Sequence, residues 1–249
     1  MEKKATKKKE QAAKKFEWKK IGYSALLVAW VGIACISAQI IIGIPMIWLL
    51  GKAKFGQPVW TTIYTALVYA MAAALVIFIP KLIKKAWKTS REKLGLKELP
   101  TFTDIGIGII GFIATIVVAG IVLTFLDTLH LIDTGQAQNT GFSGLYSPFD
   151  RVVAFLSLAV FAPVAEEIIF RGWLYDKLKK HGCVASAIIL TSLLFAALHG
   201  QWNVGITVGI MSVVMCIERE LTGTIYAGII THILKNGIAF WLMYIVMGM

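Results

Sequence analysis

The sequence predicts an all-α protein, a polytopic membrane helical bundle of about seven transmembrane helices. Hydrophobic residues make up 57% of the 249-residue chain and charged residues only 16%, which is more apolar than a water-soluble globular domain. The apolar residues are gathered in long runs, and a helix needs roughly 20 of them to cross a bilayer. No run alternates polar and apolar residues as a transmembrane β-strand does.

Seven apolar runs qualify as candidate spans, and the fifth and sixth are short for a full crossing. In chain order the runs are Ile21–Leu50, Val59–Pro80, Asp104–Leu126, Val152–Leu174, Val184–His199, Asn203–Ile217 and Thr222–Met247. The first run is far longer than the apolar core of a signal peptide, which has about 7–15 residues. We therefore expect the first run to be retained as a membrane span.

The basic residues are concentrated in two segments, which predicts the topology. Residues 1–20 hold nine Lys against three Glu, and residues 81–98 hold seven Lys or Arg against two Glu, which together account for the net charge of +11. The positive-inside rule places both segments in the cytoplasm, the N-terminus included. The expected location is the cytoplasmic membrane of a bacterium. Because the basic residues flank apolar spans, their expected partner is the lipid bilayer, and no nucleic-acid partner is expected.

Polar residues divide the chain into three predicted parts. Residues 1–20 are expected to be a lysine-rich cytoplasmic tail, 21–150 the N-terminal transmembrane support helices, and 151–249 the catalytic core, because the unusual polar residues follow Arg151. Within the support helices, Asp104 and its neighbour Thr103 are expected to cap the start of the third span.

The first candidate site is a pair of glutamates in the fourth span. Glu167 and Arg171 are four residues apart and share a helix face, whereas Glu166 points about 100° away. Arg171 is expected to neutralise Glu167 and leave Glu166 free to face a cavity as a general base or acid. Ionisable residues inside a span are costly and often functional. The alternative is a helix that ends in water with a solvated ion pair.

Two later spans carry the remaining candidates. His199 ends the apolar run of the fifth span, and alone it is typical of an interfacial histidine. His232 and Asn236 are four residues apart in the seventh run and share a face, so together they could bind an oxyanion. Alternatively, His232 is a metal ligand supported by Asn236, or the two side chains only form polar contacts between helices.

The three elements in this order resemble the CPBP family, the CAAX-protease and bacteriocin-processing intramembrane proteases also called Abi proteins. The resemblance covers about 152–237, and it includes Phe170-Arg171-Gly172-Trp173-Leu174 after the glutamates and Leu221–Gly228 before His232.

The resemblance implies an intramembrane endopeptidase that hydrolyses a peptide bond in or near the membrane of a peptide or membrane-protein substrate. It implies that Glu166 activates water with help from His199, and that His232 and Asn236 stabilise the oxyanion. Glu167 and Arg171 would hold the first motif in shape. Two kinds of chemistry are consistent with it: a metalloprotease with zinc or another divalent ion on Glu166, His199 and His232, and a metal-free glutamate protease.

Two other functions and one geometric expectation complete the predictions. A non-catalytic membrane scaffold or immunity protein would tolerate loss of Glu166, and a proton-coupled transporter would also bury Glu and His. Glu166 comes late in its span and His199 late in the next, so their depths would differ by roughly 10 Å at 1.5 Å per residue. We therefore expect the fourth helix to continue past the bilayer through Lys180.

Overall fold

The fold is described from a computed structural model, for residues 2–55, 57–83, 88–133, 140–142 and 145–248. These residues form helices and no strand, which confirms the all-α prediction. The described part of the chain contains seven helices: α1 Glu2–Phe55, α2 Pro58–Ile83, α3 Phe102–Thr128, α4 Pro148–His181, α5 Val184–Ala197, α6 Trp202–Thr222 and α7 Tyr226–Val246. Residues 2–20, predicted as a tail, continue the helix of the first span.

Five of the seven helices are long and apolar enough to cross a membrane. They are α2 to Pro80, α3, α4, α7 and the stretch Trp18–Lys52 of α1. Helix α5 is apolar but has only 14 residues, and α6 has 21 residues and ends in the charged run Glu218-Arg219-Glu220. Each of the seven predicted runs therefore lies mainly on one helix. The seventh run was begun too early, because Thr222 is the last residue of α6 and α7 begins at Tyr226.

Helix α4 runs without a break for 34 residues, from Pro148 to His181. It continues through Lys180, as expected, and its last residue stacks on Tyr23 of α1 with ring centroids 5.1 Å apart. Two stretches of α4, Leu156–Phe161 and Ile168–Leu174, are π-helical. Such wider turns have i→i+5 hydrogen bonds and occur often at functional sites.

Helix α3 packs closely on α6 and α7 through its glycines. A Cβ at Gly108 would lie 2.8 Å from the carbonyl oxygen of Ala227, and one at Gly111 would overlap the carboxylate of Glu218.

The start of α3 corrects one expectation. Its N-cap is Thr101, which forms a capping box with Asp104, and Thr103 lies inside the first turn.

The main hydrophobic core lies where α1, α2, α4, α5 and α6 meet. Its largest fully buried side chains include Trp173 and Tyr175 of α4, Phe195 of α5, and Met211 of α6. This core supports the half of α4 that carries the two glutamates.

Candidate active site

The two glutamates of α4 lie in different surroundings. Glu167 is fully buried, and its Oε1 accepts a hydrogen bond of 2.9 Å from Nη1 of Arg171, which is also fully buried. The ion pair expected from the four-residue spacing is therefore present. The side chain of Glu166 keeps 12% of its surface exposed. Glu166 is thus the carboxylate that a small molecule such as water can reach.

His232 of α7 lies between the two carboxylates. Its Nε2 is 3.5 Å from Oε2 of Glu166, and its Nδ1 is 3.3 Å from Oε1 of Glu167. The imidazole is 2% exposed, so it contacts the carboxylates in a nearly dry environment. Gly228, one turn earlier, allows this approach, because a Cβ there would lie 2.9 Å from Oε2 of Glu167.

The other oxygen of Glu166 is bound by a residue that lies outside 151–249, the predicted catalytic core. The hydroxyl of Tyr69, on α2, donates a hydrogen bond to Oε1 of Glu166. Sequence reasoning missed this residue, because α2 was expected to be a support helix. A buried phenol usually needs a polar partner, but that rule does not distinguish Tyr69 from Tyr64 in the same helix.

Phe195 of α5 joins the two histidines and the arginine. Its ring centroid is 4.5 Å from Cζ of Arg171, 4.9 Å from the ring centroid of His199 and 5.9 Å from that of His232. A guanidinium over an aromatic face is attracted by the ring quadrupole. The ring of Phe195 therefore contacts the same guanidinium that donates a hydrogen bond to Glu167.

His199 follows the end of α5 and points one nitrogen at its own helix. Its Nδ1 is 2.8 Å from the carbonyl oxygen of Phe195. A carbonyl only accepts, so Nδ1 carries the proton and Nε2 is the free acceptor of the neutral ring. Among the described residues, His199 makes no direct hydrogen bond to Glu166 or His232, and the structure brings it to them only through Phe195.

Asn236 is oriented by a carbonyl of α4. Its Nδ2 donates to the oxygen of Leu158 at 3.0 Å. Two features of α4 free that oxygen: the N–H of Ala162 donates to Ser157, and the next residue, Pro163, has no N–H. The neighbouring α7 supplies the missing donor. The second N–H of the Asn236 amide is left for another acceptor.

A small polar cavity adjoins Asn236, with a volume of about 50 Å³. Its lining includes Lys235, Asn236, Leu158, Thr140 and Tyr244. Lys235 is a second residue that sequence reasoning missed, although a lysine inside an apolar run is a signal in itself.

A larger groove lies between α5 and α6 and has a volume of about 820 Å³. Its lining is almost wholly apolar, and it includes residues on both sides of His199, among them Ala196, Ala197, Gly200 and Gln201. An apolar chain in this groove would therefore pass the end of α5, after which His199 lies.

The expected metal ligands do not form a metal site in this geometry. Within the described part of the chain, no three His, Cys, Asp or Glu side chains are arranged to hold a metal ion. A catalytic zinc site usually has three protein ligands. Of Glu166, His199 and His232, only the first and the last approach each other directly.

Comparison with protein families gives one match. Residues 148–238 match the family model described as type II CAAX prenyl endopeptidase Rce1-like. The matched segment, 148–238, covers 91 of the 249 residues. The resemblance to CPBP and CAAX proteases is thereby confirmed. Comparison with curated proteins and with solved structures gave no significant match.

The matched segment begins at the first residue of α4 and ends within α7. It contains all six residues singled out from the sequence, but Tyr69 lies outside it. Together with the five helices that are long and apolar enough to cross a membrane, the match supports an intramembrane protease in general.

Proposed function

We propose that the protein is an endopeptidase in which Glu166 is the general base that activates water. The observation that carries the proposal is the cluster around this carboxylate. The side chain of Glu166 is 12% exposed, on a helix long and apolar enough to cross a membrane. Tyr69 donates a hydrogen bond to one of its oxygens, and His232 lies 3.5 Å from the other. A carboxylate placed in this way is fixed in orientation and remains open to one small molecule.

In the proposed reaction, Glu166 takes a proton from water, and the water oxygen attacks the carbonyl carbon of the peptide bond. The π electrons of the carbonyl move to its oxygen and form the oxyanion. When this intermediate collapses, the C–N bond breaks and the leaving amine takes the proton from Glu166. The products are a carboxylic acid and an amine, so the atoms and charges balance.

The position of His232 favours a role other than the oxyanion binding that the family resemblance implies. Both of its nitrogens face carboxylates, so we assign it to holding Glu166 and Glu167 in place. We assign the oxyanion to Asn236, whose amide retains one N–H beyond its bond to Leu158. His199, through its free Nε2, orients the attacking water.

The mechanism that we propose has no metal step, and it is supported by the separation of His199 from Glu166 and His232 among the described residues. Chelation tests this part directly. Activity that persists in EDTA supports the glutamate mechanism, and activity that EDTA removes and zinc restores would replace it with metal-assisted hydrolysis.

The test of the whole proposal is cleavage of a library of membrane-embedded peptides by purified protein in detergent. Glu166→Gln keeps the shape of the side chain and removes the base, so we expect the rate to fall at least about 100-fold. The matched control is Glu220→Gln, because Glu220 pairs with Lys179 near the surface. Equal loss in both variants, or retained activity in Glu166→Gln, would contradict the assignment.

We further propose that the substrate is a lipid-modified peptide whose apolar chain lies in the groove between α5 and α6. The matched family is described as a prenyl endopeptidase, and the groove has an apolar lining next to His199. Ala197→Trp fills the groove from an exposed position. We expect it to raise KM about tenfold for a prenylated peptide and to leave the KM of the same peptide without lipid unchanged. An equal effect on both peptides would contradict a lipid site.

A further inference from the structure

Lys235 lies in the middle of a membrane-spanning helix. It is nine residues after Tyr226 and eleven before Val246, the two ends of α7. At 1.5 Å per residue, these ends are about 14 and 16 Å away along the helix. A lysine side chain is much shorter than that, so its ammonium cannot reach either interface as snorkelling lysines do. The ammonium therefore stays near the middle of the helix, on a side chain that is only partly exposed.

In the part of the chain that the structure describes, no side chain or carbonyl contacts this ammonium directly. Among the described residues, Nζ of Lys235 has no hydrogen bond and no ion pair. Lys177, the buried lysine of α4, instead donates to the carbonyl of Lys88 at 2.9 Å. Burying an unpaired charge is costly. The carboxylate that acts on Lys235 is Glu166, the proposed base.

The ammonium has access to a space that a substrate group could fill. Lys235 and Asn236 are neighbours in sequence and line the same cavity of about 50 Å³. A water molecule needs roughly 10–15 Å³ measured in this way, so the cavity has room for a small polar group. The cation and the remaining N–H of the Asn236 amide are its available donors, because the hydroxyls of Thr140 and Tyr244 bind each other.

We propose that Lys235 is a further catalytic residue, whose ammonium binds the carbonyl oxygen of the scissile peptide beside Asn236. This inference rests on the proposed function. Both nitrogens of His232 face carboxylates, and Asn236, the donor that we assign to the oxyanion, is neutral. A fixed cation in a site of low dielectric constant stabilises developing negative charge far more than a neutral donor does.

During water attack, the negative charge moves from Glu166 to the carbonyl oxygen, and Lys235 can interact with both. It balances the carboxylate before attack and the oxyanion after it. The ammonium keeps its proton throughout, because the proton taken from water goes to Glu166 and then to the leaving amine. The number of charges in the site is therefore constant along the reaction.

The test compares Lys235→Met with Lys235→Arg, using the peptide that the wild-type protein cleaves fastest in the library. We expect Lys235→Met to lower kcat about 100- to 1000-fold with KM within about threefold of the wild-type value. Its thermal unfolding temperature should equal or exceed that of the wild type, because an unpaired buried charge is removed. Lys235→Arg should recover kcat to within about tenfold of the wild-type value, since it restores the cation.

The control on the same helix is Ile238→Met, an exposed position that tests whether methionine itself affects α7. If Lys235→Met keeps kcat within threefold while Glu166→Gln is inactive, this proposal fails and the proposed function stands. A lower unfolding temperature in Lys235→Met without recovery in Lys235→Arg would also overturn it, as a structural role. If the wild type cleaves no peptide in the library, both proposals fail.

Discussion

Replacing Gly228 by alanine tests whether the position of Glu167 matters for catalysis. In the structure, a Cβ at this position lies 2.9 Å from Oε2 of Glu167 and 3.5 Å from Cβ of Met215. The first distance is about half an ångström shorter than an ordinary contact. The carboxylate cannot easily move away, since its other oxygen is bound by Arg171 and faces His232.

The matched substitution is Gly237→Ala, on the same helix. Its Cβ would meet only a ring carbon of Phe155 at 3.7 Å, an ordinary contact. Both substitutions gain the helix propensity of alanine, about 1 kcal/mol, and this gain cancels in the comparison. The remaining difference in the free energy of unfolding comes from the overlap at Gly228, and overpacking of this kind costs about 1–3 kcal/mol.

Thermal unfolding in detergent measures this difference, at about 2–4 °C per kcal/mol for a chain of this size. We expect Gly237→Ala to unfold at or above the wild-type temperature and Gly228→Ala several degrees below Gly237→Ala. The kcat of Gly228→Ala should fall about 10- to 100-fold, because displaced catalytic groups lose much of their effect. Equal unfolding temperatures and equal kcat values would refute the packing of Glu167 against Gly228.

Three further predictions concern the surroundings of the site. Tyr69→Phe removes one hydrogen bond to a charged acceptor, worth about 1.5–3 kcal/mol, so kcat should fall about 10- to 100-fold, whereas Tyr64→Phe should leave it unchanged. Equal effects would contradict the contact with Glu166, the proposed base. Pro163→Ala restores an N–H that competes for the carbonyl bound by Asn236, so kcat should fall about tenfold. The circular dichroism spectrum should be unchanged. Full activity would show that the hydrogen bond from Asn236 to this carbonyl does not orient its amide. Cys183 is exposed between α4 and α5, and an impermeant thiol reagent should label it only from the cytoplasmic face if the N-terminus is cytoplasmic. Its side-chain and backbone hydrogen bonds with the serine three residues later lower the thiol pKa, so labelling should reach its half-maximal rate at a lower pH than for a free cysteine; labelling from the outer face would reverse the topology.

The helices could be predicted from the sequence because each of them contains a continuous run of apolar residues. The pairing of Glu167 with Arg171 was also predictable, since a helix brings residues four apart to the same face. The start of α3 shows how a local rule was misapplied. Thr101 and Asp104 have the three-residue spacing of a capping box, and that spacing distinguishes Thr101 from Thr103.

The contacts of the site were harder to predict, because they join residues far apart in the chain. Tyr69 and Glu166 are separated by 97 positions, and nothing in α2 marks one tyrosine over another. The effect of Pro163 on Asn236 depends on which helix packs against the freed carbonyl. Lys235 was different: a charge within an apolar run was visible in the sequence, but its neighbours His232 and Asn236 drew the functional interpretation.

The hydrogen bond from Tyr69 has a consequence for any attempt to transplant this protease. Residues 148–238 carry the proposed base, the histidines and the asparagine, and they look like a portable module. The phenol that binds the base is encoded before that module, on a helix that packs against it. A chimera built by grafting the module onto another membrane scaffold would need a tyrosine at the facing position to keep the carboxylate oriented.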